Sequence, residues 1–222
     1  MGFVMTKNNF KIIFRSLWVI IALVATYLTF ADHIVAFGGD GRPVALFFTT
    51  WSVWAGLVAA IICLIFTLQK KDESSWVHYI KFTADLMLIA TFIMSAFVLP
   101  EKIWLSSYWT AGGIFKHFLL PIFTVADLFL FDEKGKYHIS YPVTALAFPL
   151  GFWVVIIIRA LLARTANGGA ISPELWPMYY PYGFTNLDNG HSLGGLCGLL
   201  AGIMCGLVLI GYGLYLVKKE KK

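Results

Sequence analysis

The sequence predicts an all-α polytopic membrane protein, a single domain over residues 1–222 made of six transmembrane helices. Three observations carry that prediction. The chain is 59% hydrophobic and 13% charged, with mean hydropathy +0.77, whereas a soluble domain carries about 25% charged residues. Its apolar residues gather into six runs near or above the roughly 20 residues needed to cross a bilayer. No run alternates with the period of two that a membrane barrel requires.

The runs come in order at about 10–31, 44–68, 77–99, 112–131, 141–163 and 193–217. The first follows a basic lead and alone would pass for a signal peptide; five further spans make it the first transmembrane helix. Gly38-Gly39-Asp40-Gly41 with Pro43 marks a tight loop before the second. Two connections are rich in aromatics. Glu101 to Thr110 holds Trp104, Tyr108 and Trp109, an interfacial belt. From Pro173 the longer one runs through Trp176, Tyr179, Tyr180 and Tyr182 with three prolines, a stiff amphipathic lid.

Lys and Arg in the loops set orientation, because cytoplasmic segments are enriched in both. With the N-terminus inside, twelve fall on the inner side, among them Lys7, Lys11, Arg15, Lys70, Lys71, Lys81 and Lys218. Five fall outside: Arg42, Lys102, Lys116, Arg159 and Arg164. The expectation is a multi-pass cell-membrane protein with both termini cytoplasmic. The net charge of +5 then suits an anionic membrane surface, not nucleic acid.

Cys63, Cys197 and Cys205 lie in apolar runs and read as packing residues. The histidines (His33, His78, His117, His138, His191) show no ligand spacing, so neither metal nor other cofactor is expected. Gly194, Gly198, Gly202 and Gly206 recur at every fourth position, a face that admits a second helix closely. That helix belongs either to this chain or to a second copy in a homo-oligomer.

An ionisable residue inside an apolar span is a functional candidate. His117 lies five residues into the fourth run, Thr49 five residues into the second, and both runs enter from the outer side. At 1.5 Å rise per residue each sits about 7 Å below that interface. A hydroxyl and an imidazole at one depth suffice for nucleophilic catalysis, the imidazole taking the hydroxyl proton. Ser52 shares the face of Thr49. Arg159 is placed to hold a lipid carboxylate, and Trp109 and Asn186 offer donors for an oxyanion. Asp127 falls near the inner leaflet, about 15 Å deeper than His117 by helical rise, and Asp85 at a similar inner depth, where the two are expected to share a proton or polar contacts. Gly190-His191-Ser192-Leu193-Gly194 fits the lipase elbow, but that motif needs a strand turning into a helix. Ser192 reads instead as an N-cap.

Leu46-Phe47-Phe48-Thr49-Thr50-Trp51-Ser52, then His117 with Pro121 and Asp127, and Tyr180-Pro181-Tyr182 resemble the androgen-induced protein family. These are six-helix membrane proteins whose animal members hydrolyse fatty acid esters of hydroxy fatty acids; the likeness is closer to their prokaryotic Pr-six-Pr relatives. The resemblance implies Thr49 as nucleophile, His117 as base, and acidic positions at Asp85 and Asp127. Animal members place the proline five residues after the histidine, not four. The expected function is an intramembrane hydrolase of lipid acyl esters. The rival is a non-catalytic lipid-binding or proton-coupled transport protein working through Asp85 and Asp127.

Overall fold

The computed structural model describes residues 6–37, 51–98, 110–180 and 185–220. Among them every regular element is helical, and six helices are long and apolar enough to cross a membrane. α1 is Lys7–Phe37, α2 Trp51–Leu68 and α3 Ser75–Ile93, prolonged by a π-helical turn, Met94–Val98. α4 is built from Ala111–Ile114, a π-helical turn Phe115–Leu119, and Leu120–Phe131. α5 comprises Tyr141–Thr144 and Ala147–Ala166, and α6 is Leu193–Lys218.

Local chemistry explains the helix ends. Thr110 caps α4 by accepting from the Gly113 N–H at 3.1 Å. Ser192 caps α6 by accepting from the Gly195 N–H at 3.0 Å, as its loop-to-helix setting predicts. Within the spans, threonine hydroxyls donate to the carbonyl four residues back: Thr26 to Ala22, Thr29 to Ala25, Thr67 to Cys63, Thr124 to Leu120. A hydroxyl inside an apolar span is thereby satisfied within its own helix.

α3 lies between two apolar clusters. On one side Leu88 and Ala84 join Trp18, Ala22, Val53, Ala60 and Leu120 from α1, α2 and α4. On the other Phe82 and Leu86 join Phe152, Trp153, Ile156, Leu200 and Leu207 from α5 and α6. A methyl added at Gly56 would come within 2.9 Å of Leu88 Cδ1, and one at Gly211 within 3.0 Å of Pro142 Cβ. Close helix approach therefore rests on these two glycines. The stripe Gly194, Gly198, Gly202 and Gly206 has no described atom within 4 Å of the same construction. No described helix of this chain packs on that face.

The start of α1, the 69–74 turn, the 132–140 connection and the end of α6 gather at one end of the bundle. Lys11 pairs with Glu73 at 3.4 Å, the Gly135 N–H donates to the Lys218 carbonyl at 2.8 Å, and Lys218 Nζ donates to the Asp132 carbonyl at 3.0 Å. The π turns of α3 and α4 lie in the other half. The described parts of both chain ends thus share one side.

Candidate active site and a buried ion network

Pro121 shapes the surroundings of His117. Proline has no N–H, so the carbonyl four residues before it, that of His117, loses its helical donor. The chain answers with a π turn over Phe115–Leu119, closed by the Leu120 N–H on the Phe115 carbonyl. A π turn widens the helix at one point, and such turns often mark functional positions. His117 sits inside it, buried. The π turn of α3 carries Ser95, also buried, whose Oγ lies 2.8 Å from His117 Nδ1. Phe92 and Phe118 pack edge to face beside the pair, 6.1 Å between ring centres.

Ser95 Oγ also lies 2.8 Å from the Thr91 carbonyl, so its one proton goes either to that carbonyl or to His117 Nδ1. In both cases the contact holds the ring through Nδ1. With Nδ1–H donating to Ser95, Nε2 is the basic nitrogen.

The other candidates are distributed as follows. Thr49 and Trp109 lie outside the described residues. Ser52 opens α2 and is half-buried. Arg159 stacks over the Tyr179 ring at 5.2 Å, beneath the aromatic segment. Asn186 is buried, and its Oδ1 accepts the Asp188 N–H at 2.9 Å, holding a local turn. That segment is tied down through Asp188, which accepts from Tyr180 Oη at 2.7 Å and from the Ile171 N–H at 3.0 Å and pairs with Arg164 at 3.1 Å. Burial, and then hydrogen bonding to the Asp188 carboxylate, which favours the neutral phenol, push the Tyr180 hydroxyl up. Tyr180 and Ile171 cover Ala160 and Ala163 of α5, so the described part of this segment packs on the end of the helix before it.

Asp85 and Asp127 do lie in one polar cluster, but each has other partners than the expected one. Arg15 is fully buried and clamps Asp127 with two parallel bonds, Nε to Oδ1 at 2.9 Å and Nη2 to Oδ2 at 3.0 Å. Its Nη1 reaches the Cys63 carbonyl, Thr67 Oγ1 and Glu73 Oε1 at 3.0, 2.8 and 2.5 Å. Lys81, fully buried as well, bridges Asp127 and Asp132. Tyr137 donates to Asp132 Oδ2 at 2.5 Å and stands 3.4 Å from Asp85 Oδ2.

Sequence reasoning counted Arg15 and Lys81 only as orienting charges. The available signal was their setting: Ile12, Ile13 and Phe14 precede Arg15, and Lys81 is one helical turn before Asp85. Ser95 carried no signal, since no spacing pairs it with His117. Among the described residues no group of His, Cys, Asp and Glu is arranged to hold a metal ion. Comparison of the chain with family models, with curated proteins and with solved structures finds no match.

Proposed function

We propose that this chain is an intramembrane hydrolase of lipid acyl esters, with Thr49 as nucleophile and His117 as base. The observation that carries the reading is the Ser95–His117 contact, which holds a buried imidazole through Nδ1 inside an apolar span. An ionisable side chain in such a span is a functional candidate, and an oriented imidazole suits a general base. The motifs around Thr49, His117 and Tyr180 support the same reading through their family resemblance.

In this mechanism Thr49 Oγ attacks the acyl carbonyl while its proton passes to Nε2 of His117. The tetrahedral intermediate collapses, the ester C–O bond breaks, and the leaving alcohol takes that proton. Water then attacks the acyl-threonine, giving one proton to Nε2. Collapse releases the fatty acid and returns the proton to Thr49. Ser95 keeps the ring aligned throughout. Ser52, Arg159, Trp109 and Asn186 are proposed to contact substrate.

The excess of Lys and Arg on the side of the chain ends supports a cell-membrane protein with both termini cytoplasmic. The active layer then opens to the outer leaflet. The glycine face of α6 is available to a second copy. The rival transport reading needs Asp127 to change its proton occupancy, yet Asp127 takes three charged hydrogen bonds from Arg15 and Lys81, which favours a fixed structural part.

The test is hydrolysis of a long-chain fatty acyl ester by the purified chain in lipid nanodiscs. His117→Ala is expected to lose about 10²- to 10⁴-fold in kcat, the usual contribution of a positioned general base, while Ser192→Ala keeps wild-type turnover. Full activity in His117→Ala overturns the proposal.

A further inference from the structure

A carboxyl group buried in an apolar bundle must be neutralised by a proton, a cation or hydrogen-bond donors. Asp85 is fully buried, and among the described residues its Oδ1 has no hydrogen-bond partner. Its Oδ2 faces only Tyr137 Oη, at 3.4 Å. That hydroxyl has one proton, and at 2.5 Å it is given to Asp132. Asp85 thus receives no donor, while it can donate to Tyr137 Oη if it carries a proton itself.

The charges around it point the same way. Lys81 stands one turn before it on α3 but spends its contacts on Asp127 and Asp132. Asp127 faces it from α4, Asp132 and Tyr137 from the 132–140 connection, and Lys218 from α6. Arg15 on α1 is engaged by Asp127, Glu73 and the Cys63 carbonyl of α2. Every cation near Asp85 already has another acceptor.

Asp132 has a nearly buried side chain that borders the surface. It lines an open cleft of about 70 Å³ at the end of the bundle where the chain ends meet, together with Lys11, Glu73, His78, Glu133 and Lys136. Asp132, Tyr137 and Asp85 therefore form a line of adjacent groups, with steps of 2.5 and 3.4 Å, from the cleft wall to the buried carboxyl.

We propose that Asp85 is a proton-binding site of the bundle, loaded from this cleft through Asp132 and Tyr137. The Tyr137 hydroxyl first rotates from Asp132 toward Asp85. A proton carried by Asp132 Oδ2 then leaves that oxygen and forms an O–H bond at Tyr137 Oη, while the phenol's own O–H bond breaks and a new one forms at Asp85 Oδ2. One proton is carried inward, and the tyrosine hydroxyl again points to Asp132, as it began. This site is separate from Ser95 and His117 and does not rest on the hydrolase reading.

The experiment is infrared spectroscopy of the full chain in nanodiscs at neutral pH, with aspartate labelled by carbon-13 at its side-chain carboxyl. The wild type is expected to show a protonated-carboxyl C=O band that moves with the label. Asp85→Asn loses that band, and Asp85→Glu makes it insensitive to the label. In Tyr137→Phe the band persists but loses its prompt shift in D2O. A labelled wild type without a protonated-aspartate band overturns the proposal, whether or not the variants fold. So does a label-sensitive band that survives in Asp85→Asn.

Discussion

Ser95 Oγ of α3 and His117 Nδ1 of α4 meet at 2.8 Å, each presented by a π-helical turn. Two irregular turns facing one another across a helix pair bring together groups that regular helices would not. If this contact aligns a base, Ser95→Ala should lower kcat and leave KM little changed, because substrate does not touch Ser95. The loss should be smaller than the about 10²- to 10⁴-fold expected on removing the base itself. Ser95→Thr, which keeps the hydroxyl, should recover most of it. Steady-state kinetics on the three proteins checks this.

The Arg15–Asp127 clamp is expected to dominate stability at the other end. Removing one partner leaves a buried charge uncompensated, an effect of about 3–5 kcal/mol. Arg15→Leu and Asp127→Leu should each destabilise strongly, and the double variant should be less harmed than the sum of the two. A double-mutant cycle of unfolding free energies in detergent measures the coupling.

Glu73 gives this end of the molecule an acid limit. Burial pushes its carboxyl up, but Arg15 and Lys81 pull harder and hold it below the ordinary glutamate range. Because the folded value lies below the unfolded one, the stabilisation is present above the unfolded value and is lost as pH falls through the folded one. Thermal stability should therefore drop on acidification below the ordinary glutamate range, and Glu73→Gln should show a shallower drop. Melting temperature against pH is the measurement.

The glycines separate two kinds of small residue. Gly211→Leu should destabilise by about 1–3 kcal/mol, as overpacking does, because the start of α5 must move away from 3.0 Å. Gly198→Leu meets nothing within 4 Å and should leave the unfolding of the single chain within about 0.5 kcal/mol. Melting curves paired with light scattering report both, the second showing whether a copy of the chain covers that face.

Much of the fold was legible because membrane crossing leaves a strong signal: long apolar runs bounded by Gly, Pro and charge. His117 was legible for the same reason, an ionisable side chain standing out against hydrocarbon. Ser95 was not, since serine is common in spans and its partner is 22 residues away on another helix. The roles of Arg15 and Lys81 were hidden by their position, for cations near a span end ordinarily snorkel to headgroups. Here Asp127 and Asp132 draw them inward. The glycine stripe was legible only as a face on which a helix can pack: spacing identifies the face, while the tertiary arrangement shows that no described helix of this chain occupies it.

The central claim is that His117 activates a hydroxyl other than that of Ser95. The most direct measurement is mass mapping of the residue modified by a fluorophosphonate ester in wild type, Thr49→Ala, Ser95→Ala and His117→Ala. The account predicts the adduct on Thr49, lost in Thr49→Ala and His117→Ala but retained, more slowly formed, in Ser95→Ala. An adduct on Ser95 or Ser192, or labelling that persists in Thr49→Ala, contradicts it.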